Sequence, residues 1–177
     1  MNNILRAIRF ADNAHKGQMR KRGNIPFIEH PLWVAMRVAR LADASEEMVV
    51  AATLHDVSED AGISKQQLFD LFGKAVANLV DELTNRYEAK EFGNRKVRKE
   101  LELERIKKIS REAKVIKMAD RLHNLISRGL ARDHMRKNYL PESKALLEVC
   151  RSANDELAEE LADEIYRAEM ELKGVDK

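Results

Sequence analysis

The sequence is poor in cysteine and has no long apolar run, and each absence excludes a class of protein. Cys150 is the only cysteine among 177 residues, which excludes an internal disulfide and a cysteine-based zinc site and fits a reducing compartment. No apolar stretch approaches the roughly 20 residues that span a bilayer. Charge at Arg6, Arg9 and Asp12 interrupts the N-terminus, which therefore lacks the apolar core of a signal peptide. We therefore expect a soluble, cytoplasmic protein with no membrane partner.

A strong excess of charge of one sign is also absent. The formal net charge is only +2, although 35% of the residues are charged. A dedicated nucleic-acid binder carries a clear basic surplus, so nucleic acid is not an expected partner. The length predicts one domain with a sizeable core. A homo-oligomer is compatible with the sequence, which leaves the oligomeric state open.

Apolar residues recur at helical spacing along the chain, and no stretch alternates with the period of two that a strand requires. The sequence therefore predicts an all-α, single-domain helical bundle over residues 1–177. Residues 85–94 are polar, contain Gly93 and are interpreted as a loop. The predicted helices cover residues 3–15, 31–41, 46–61, 65–72, 74–84, 95–109, 112–128, 141–147 and about 152–172.

Local signals place several of these helix ends. Ser45 is the expected N-cap of the third helix, and Gly62 is expected to end it. Ser64 with Gln67 forms a capping-box pattern for a short helix that ends near Gly73. The second helix is predicted to bury one stripe of apolar side chains, which comprises Leu32, Trp33, Ala35, Met36, Ala39 and Leu41.

The segment 54–60 places an imidazole and three carboxylates directly after the apolar run 48–54. If the segment is one helix, His55, Asp56 and Glu59 share a face because residues three and four apart are neighbours, and Asp60 joins them. Carboxylates crowded on one face repel each other unless a cation lies between them. The ordinary alternative is a solvated acidic helix end.

Two other polar residues stand out. His30 precedes Pro31, which restricts the backbone at the start of a helix, and such a histidine is either a cap or a ligand. Asp120 lies in an apolar helix that places Lys117 and Asn124 on the same face. A salt bridge to Lys117 or to the arginine after Asp120 would satisfy this carboxylate, and a metal ion is the alternative.

Basic residues cluster in two places. Residues 20–22 form a run of three cations in a loop, and a second basic cluster lies between Arg86 and Lys117. Acidic residues are concentrated between Asp155 and Glu171. The second basic cluster and the acidic one are either two solvated faces or, for the basic helix, the border of an anionic ligand site.

Six motifs occur in order along the chain: AHKGQ at 14–18, RK at 20–21, PFIEHP at 26–31, LHDVSED at 54–60, FG at 72–73 and KMADRLHNL at 117–125. Taken together, these segments resemble the hydrolase domain of the RelA/SpoT proteins, which belongs to the HD superfamily of metal-dependent phosphohydrolases. The resemblance covers about residues 4–147 and is closest to the small stand-alone alarmone hydrolases, because no synthetase or regulatory domain is expected.

The resemblance implies a role for each matching residue. One divalent ion, most often manganese, would be held by four ligands, although two imidazoles and two carboxylates are also compatible with iron, cobalt or zinc. Glu59 and Asp60 match the pair that positions and deprotonates the attacking water. The implied metal ligands are His30, His55, Asp56 and Asp120. The implied substrate-binding residues are Arg20, which matches an arginine that stacks on guanine, and Lys21, Asn124, Tyr139, Arg95 and Lys99.

The implied activity is hydrolysis of the 3′-pyrophosphate of guanosine tetra- or pentaphosphate, (p)ppGpp, to GDP or GTP and pyrophosphate, which would end a stringent-response signal. One alternative is a related phosphohydrolase acting on NADPH, a dNTP or a nucleoside monophosphate. Another is a non-catalytic, antitoxin-like partner of an alarmone synthetase. The expected partner is therefore a guanine nucleotide bound as substrate.

Overall fold

The computed structural model describes residues 2–20, 24–87, 89–127 and 134–174. Within these ranges no β-strand occurs, and the only extended pairing is an isolated bridge between Met19 and Pro26. The all-α prediction is therefore confirmed. The helices are α1 Asn3–Ala14, α2 Glu29–Ala39, α3 Glu46–Leu54, α4 Val57–Ala61, α5 Lys65–Leu83, α6 Ala89–Phe92, α7 Arg95–Ile106, α8 Arg111–Ile126, a π-helical segment Met135–Tyr139, α9 Leu140–Cys150, a 3-10 turn Arg151–Ala153 and α10 Asp155–Gly174.

The chain divides into two compact units, Met1–Asn85 and Arg86–Lys177. In the first unit, α3 packs against α1, α2 and α5. The side chains of residues 48–54 are all buried, as expected for a helix that is apolar on every side. This helix is the centre of the unit and carries His55 at its C-terminal end. That the whole chain forms a single domain stays a prediction.

The third helix does not continue to Gly62 as predicted. It ends at Leu54, and Asp56 adopts φ −97° and ψ −8° before α4 begins at Val57. These angles lie in the bridge region, which is common at functional sites. The prediction of one continuous helix over 46–61 is therefore wrong. Gly62, with φ 68°, does end α4 as expected.

The predicted buried stripe of α2 is wrong at two positions. Met36 is 70% exposed and Ala39 is also exposed, whereas Val34, Ala35 and Val38 are buried. Residues three and four apart share a helical face, so the face that packs on α3 runs through Val34 and Val38 and leaves Met36 on the opposite side.

Capping signals in the first unit are confirmed. The Ser45 hydroxyl accepts a hydrogen bond from Met48 N at 3.2 Å. Ser64 and Gln67 form a complete capping box, in which the Ser64 N–H donates to the Gln67 side chain at 2.9 Å. Each cap satisfies a backbone group that a helix end leaves without an intrahelical partner.

Gly73 interrupts α5 with φ 84° and ψ 173°, a region that residues with a Cβ rarely adopt. Nothing lies within 4 Å of the position that a Cβ would occupy, so the cost of a side chain is backbone strain alone. We expect Gly73→Ala to lower the free energy of unfolding by about 1–3 kcal/mol in urea titrations followed by circular dichroism. Gly174→Ala, at a position without positive φ, is the control. Equal unfolding midpoints for the two variants would contradict this account.

In the second unit, α8, α9 and α10 pack against one another and α7 packs on α9. The predicted loop 85–94 contains the short helix α6, so that prediction is wrong over four residues. Residue 128, the predicted end of the helix over 112–128, lies outside the described residues. Cys150 is buried, and desolvation raises the pKa of its thiol to about 11, as expected of an unreactive core cysteine. Over the described ranges, every helix is too short or too polar to cross a membrane.

Candidate functional site

Three side chains of the first unit converge where α3 gives way to α4. Asp56 Oδ2 lies 3.1 Å from His55 Nε2 and 3.6 Å from His30 Nε2. His30 comes from the start of α2, and its ring packs edge to face on that of His55 with centroids 5.1 Å apart. One ligand atom of each residue lies within 4.8 Å of the others, which is the spacing that a single cation requires.

The hydrogen bond of His55 shows which nitrogen faces this cluster. His55 Nδ1 lies 2.7 Å from the carbonyl oxygen of Ala52, and because a carbonyl only accepts, Nδ1 carries the proton. In the neutral ring, Nε2 then directs a lone pair toward the carboxylate of Asp56. Two acceptors at 3.1 Å repel each other unless a proton or a metal ion lies between them. The backbone hydrogen bond is also the usual support of a metal-binding histidine, so these residues fit a divalent cation.

Glu59 lies one turn further on and is held by Asn85. The backbone N–H of Asn85 donates to Glu59 Oε1 at 2.7 Å, and the side-chain amide donates to Oε1 at 3.0 Å and to Oε2 at 2.9 Å. Glu59 therefore accepts three hydrogen bonds from a neutral residue. No sequence signal indicated Asn85, because this contact joins two residues that are distant in the chain.

Asp60 has a pKa raised above the ordinary value of an aspartate. Desolvation is the largest cause that raises the pKa of Asp60, followed by the negative charges of Asp56 and Glu59. The nearby His15 and His55 act in the opposite direction. An acid whose pKa is raised toward neutrality is suited to accept and release a proton.

A chain of two hydrogen bonds links the buried His15 to the backbone of Asp60. His15 Nδ1 lies 2.9 Å from Gln18 Oε1, and the Gln18 amide donates to the carbonyl oxygen of Asp60 at 3.1 Å. His15 is 3% exposed, and its ring stacks at a tilt on Phe27. Both residues belong to the AHKGQ motif at 14–18, which is part of the family resemblance but gave neither residue a role.

The loop after α1 carries Arg20. Its backbone N–H donates to Ile25 O at 2.8 Å, next to the bridge between Met19 and Pro26, which closes the loop. The Arg20 guanidinium lies over the ring of Phe27, 5.8 Å from the centroid. A planar guanidinium presented on an aromatic ring is suited to stacking. The second predicted cation of this loop, Lys21, lies outside the described residues.

The remaining predicted site residues lie in the second unit. Asp120 is on α8 and accepts a hydrogen bond from Asn124 Nδ2 at 2.6 Å, so the expected shared face of these two residues is present. Tyr139 ends the π-helical segment, and the Arg121 guanidinium lies 4.4 Å from the centroid of its ring. The adjacent residues Asp120 and Arg121 of α8 therefore make different contacts. Asp120 is paired with an amide, and Arg121 is paired with an aromatic ring.

Arg95 and Lys99 lie one turn apart on α7. Arg95 makes a two-pronged ion pair with Glu142, with both N···O distances 2.9 Å. Desolvation and then the positive charge of Arg121 lower the pKa of Lys99, although Glu142 partly offsets this. A bound anion reduces the repulsion between neighbouring positive side chains. These residues therefore fit a phosphate site within this unit.

The family model described as "HD domain" matches residues 7–146. The chain belongs to the HD domain family. The cluster of His30, His55 and Asp56 is accordingly a candidate metal site of the kind typical of HD domains. The prediction that this is an HD phosphohydrolase related to the SpoT hydrolase domain is confirmed at the level of the family.

Two relatives show where this HD domain belongs within the family. A protein of Haemophilus influenzae described as guanosine-3′,5′-bis(diphosphate) 3′-pyrophosphohydrolase is 37% identical over 139 residues, 75% of this chain and 20% of the relative. This chain therefore spans about one fifth of that protein. The MESH1 protein of Xenopus tropicalis is also described as a guanosine-3′,5′-bis(diphosphate) 3′-pyrophosphohydrolase. It is 36% identical over 124 residues, which are 69% of this chain and 67% of MESH1.

The solved structures support the same placement of the HD domain. A metazoan ortholog of SpoT, described as hydrolysing ppGpp with a role in starvation responses, superposes with a TM-score of 0.81 at 32% identity. The match covers 94% of this chain and 95% of that protein. At this level of similarity the shared fold extends over nearly the whole chain.

Proposed function

We propose that this HD domain hydrolyses the 3′-diphosphate of (p)ppGpp and releases pyrophosphate together with GDP or GTP. The observation that carries the proposal is the match to MESH1 of Xenopus tropicalis, which bears the name of that activity and is covered over two thirds of its length. The candidate metal site and two adjacent carboxylates supply the chemistry that such a hydrolysis needs.

The proposed cofactor is one divalent ion, with manganese the metal that the family resemblance implies. Nitrogen and oxygen ligands from His30, His55 and Asp56 suit a borderline divalent metal. When bound, such an ion acidifies a water molecule and neutralises phosphate charge. Asp120 as a further ligand stays a prediction that rests on the resemblance.

The two carboxylates of α4 have different proposed roles. Glu59, tied to Asn85, orients the attacking water through the remaining lone pair of Oε2. Asp60, with its raised pKa, takes the proton of that water. The water oxygen bonds to the phosphorus attached to the ribose 3′ oxygen, the bond from phosphorus to that oxygen breaks, and the 3′ oxygen acquires a proton. Water is consumed, and the products are pyrophosphate and the 5′ nucleotide.

Substrate recognition is proposed residue by residue. In the first unit, Arg20 stacks on the guanine base, and Lys21 contacts the nucleotide from the same loop. In the second unit, Lys99 and Arg95 contact phosphate, and a bound anion would offset the burial and the neighbouring positive charges that lower the pKa of Lys99. Asn124 and Tyr139 make further contacts from α8 and the π-helical segment.

Pyrophosphate release by the purified protein tests the proposal. The protein loaded with Mn²⁺ is incubated with ppGpp and pppGpp, and in parallel with NADPH, the four dNTPs and GMP. We expect turnover of the two guanosine 3′-diphosphates and stoichiometric release of pyrophosphate. Turnover of only the other nucleotides would overturn the proposed substrate and favour another HD phosphohydrolase activity.

A further inference from the structure

We infer that Asn85 is a positioning residue for Glu59, which it holds in the orientation required for hydrolysis; the inference rests on the proposed function. All three hydrogen bonds that join them come from one residue, at 2.7, 2.9 and 3.0 Å. A backbone N–H and a side-chain amide of the same residue fix both the plane and the rotation of the carboxylate. Each of these bonds has normal length for N–H···O geometry.

The choice of an amide as donor matters chemically. A lysine or arginine would also hold the carboxylate but would neutralise the charge needed to attract a proton of water. The amide of Asn85 leaves the charge of Glu59 in place. Each carboxylate oxygen has about two acceptor sites, so Oε1 is saturated by two donors and Oε2 keeps one site for water.

Asn85 is itself anchored at the end of α5. Thr84 is the C-cap of that helix, with its N–H bonded to Val80 O at 3.0 Å, and its extended backbone turns the chain out of the helix. The backbone N–H of Asn85 is therefore presented to Glu59 by a helix end. Because α5 also packs on α4, the donor follows and the acceptor lies on two helices that are in contact.

A purely structural reading is that Asn85 ties α4 to α5 at the surface. That reading predicts an effect on stability that is independent of whether Glu59 takes part in the reaction. The positioning role predicts an effect on kcat that exists only while Glu59 is present. A double-mutant cycle distinguishes the two, because it isolates the coupling between the residues.

The experiment measures kcat, KM and unfolding midpoint for Asn85→Ala and Asn85→Asp with ppGpp and Mn²⁺. For both variants we expect kcat to fall about 10- to 100-fold, with KM within about twofold of wild type. Asn85→Asp conserves the size of the side chain and keeps the backbone N–H, but it replaces the amide donor with a second carboxylate that repels Glu59. Gln66→Ala is the matched control, since Gln66 is an exposed amide that donates to Asp70 at 2.8 Å elsewhere in the first unit, and it is expected to leave kcat unchanged.

The cycle is completed by Asn85→Ala in a Glu59→Ala background under single-turnover conditions. There we expect no further loss of rate beyond about twofold. An equal loss in both backgrounds, or a wild-type kcat for Asn85→Asp, overturns the positioning role and leaves the proposed function standing. If the protein hydrolyses another nucleotide instead, the cycle is run with that nucleotide, and only the proposed substrate has failed. A protein that hydrolyses none of them overturns both statements.

Discussion

Asp56→Asn is expected to lose both the divalent ion and turnover, with kcat/KM falling by at least about 10³-fold. Asp56 Oδ2 is the atom that lies close to both imidazoles, at 3.1 and 3.6 Å, so it is the one negative ligand among the three clustered residues. The amide has nearly the same shape but no charge, and it leaves a bound cation without charge compensation. His55→Ala is expected to behave in the same way, because it removes a nitrogen ligand.

Metal content per chain, measured by elemental analysis after dialysis, checks this result beside the activity. Asp81→Asn is the matched control, since Asp81 is a partly exposed aspartate whose ion pair with Lys65, at 3.0 Å, is worth at most about 1 kcal/mol. It should retain both metal and turnover. An Asp56→Asn protein that binds the metal at full stoichiometry would remove Asp56 from the proposed ligand set.

Glu59→Ala is expected to retain the metal and to lose about 10²- to 10⁴-fold in kcat, the range that general acid–base groups contribute. The side chain of Glu59 takes its hydrogen bonds from Asn85 and is not part of the cluster of His30, His55 and Asp56. Its removal therefore affects the orientation of water rather than the binding of the ion.

Steady-state kinetics and metal analysis of the same preparation check the second prediction. Glu100→Ala, at an exposed position that makes only a surface ion pair with Lys96 at 3.9 Å, is the control and should match wild type in both measurements. Loss of metal together with rate in Glu59→Ala would show that Glu59 acts as a ligand, and the division of roles between Asp56 and Glu59 would then be wrong.

Part of the candidate site could be predicted from the sequence. The residue types and spacing of segment 54–60, with the family resemblance, were enough to name His30, His55 and Asp56 as residues to be brought together, and the structure does bring them together. The same reasoning treated the segment as one helix. The break at Asp56 could not be predicted, because no glycine or proline marks it in the sequence. It lies where the carboxylate comes close to His30, which belongs to α2, a helix packed on α3.

Asn85 is a residue of the candidate site that the sequence did not predict. The sequence placed it in a polar loop, and nothing within a few residues of it indicates a carboxylate as its partner. Its three hydrogen bonds to Glu59 exist because α4 and α5 pack together and the chain leaves α5 at Thr84 in an extended conformation. Met36 is a second example, because it was predicted to be buried and is exposed. Which apolar face of α2 is buried depends on the helix against which α2 packs.

By itself, the sequence determined the features that depend on interactions within a few residues. These are the helical content, the caps at Ser45 and Ser64, the stop at Gly62 and the break at Gly73, because hydrogen bonds and backbone strain at these positions involve only near neighbours in the chain. The tertiary structure alone decided which carboxylate faces the imidazoles and which is held by an amide. Those outcomes depend on packing between helices that are far apart in sequence, and local preferences carry no information about it.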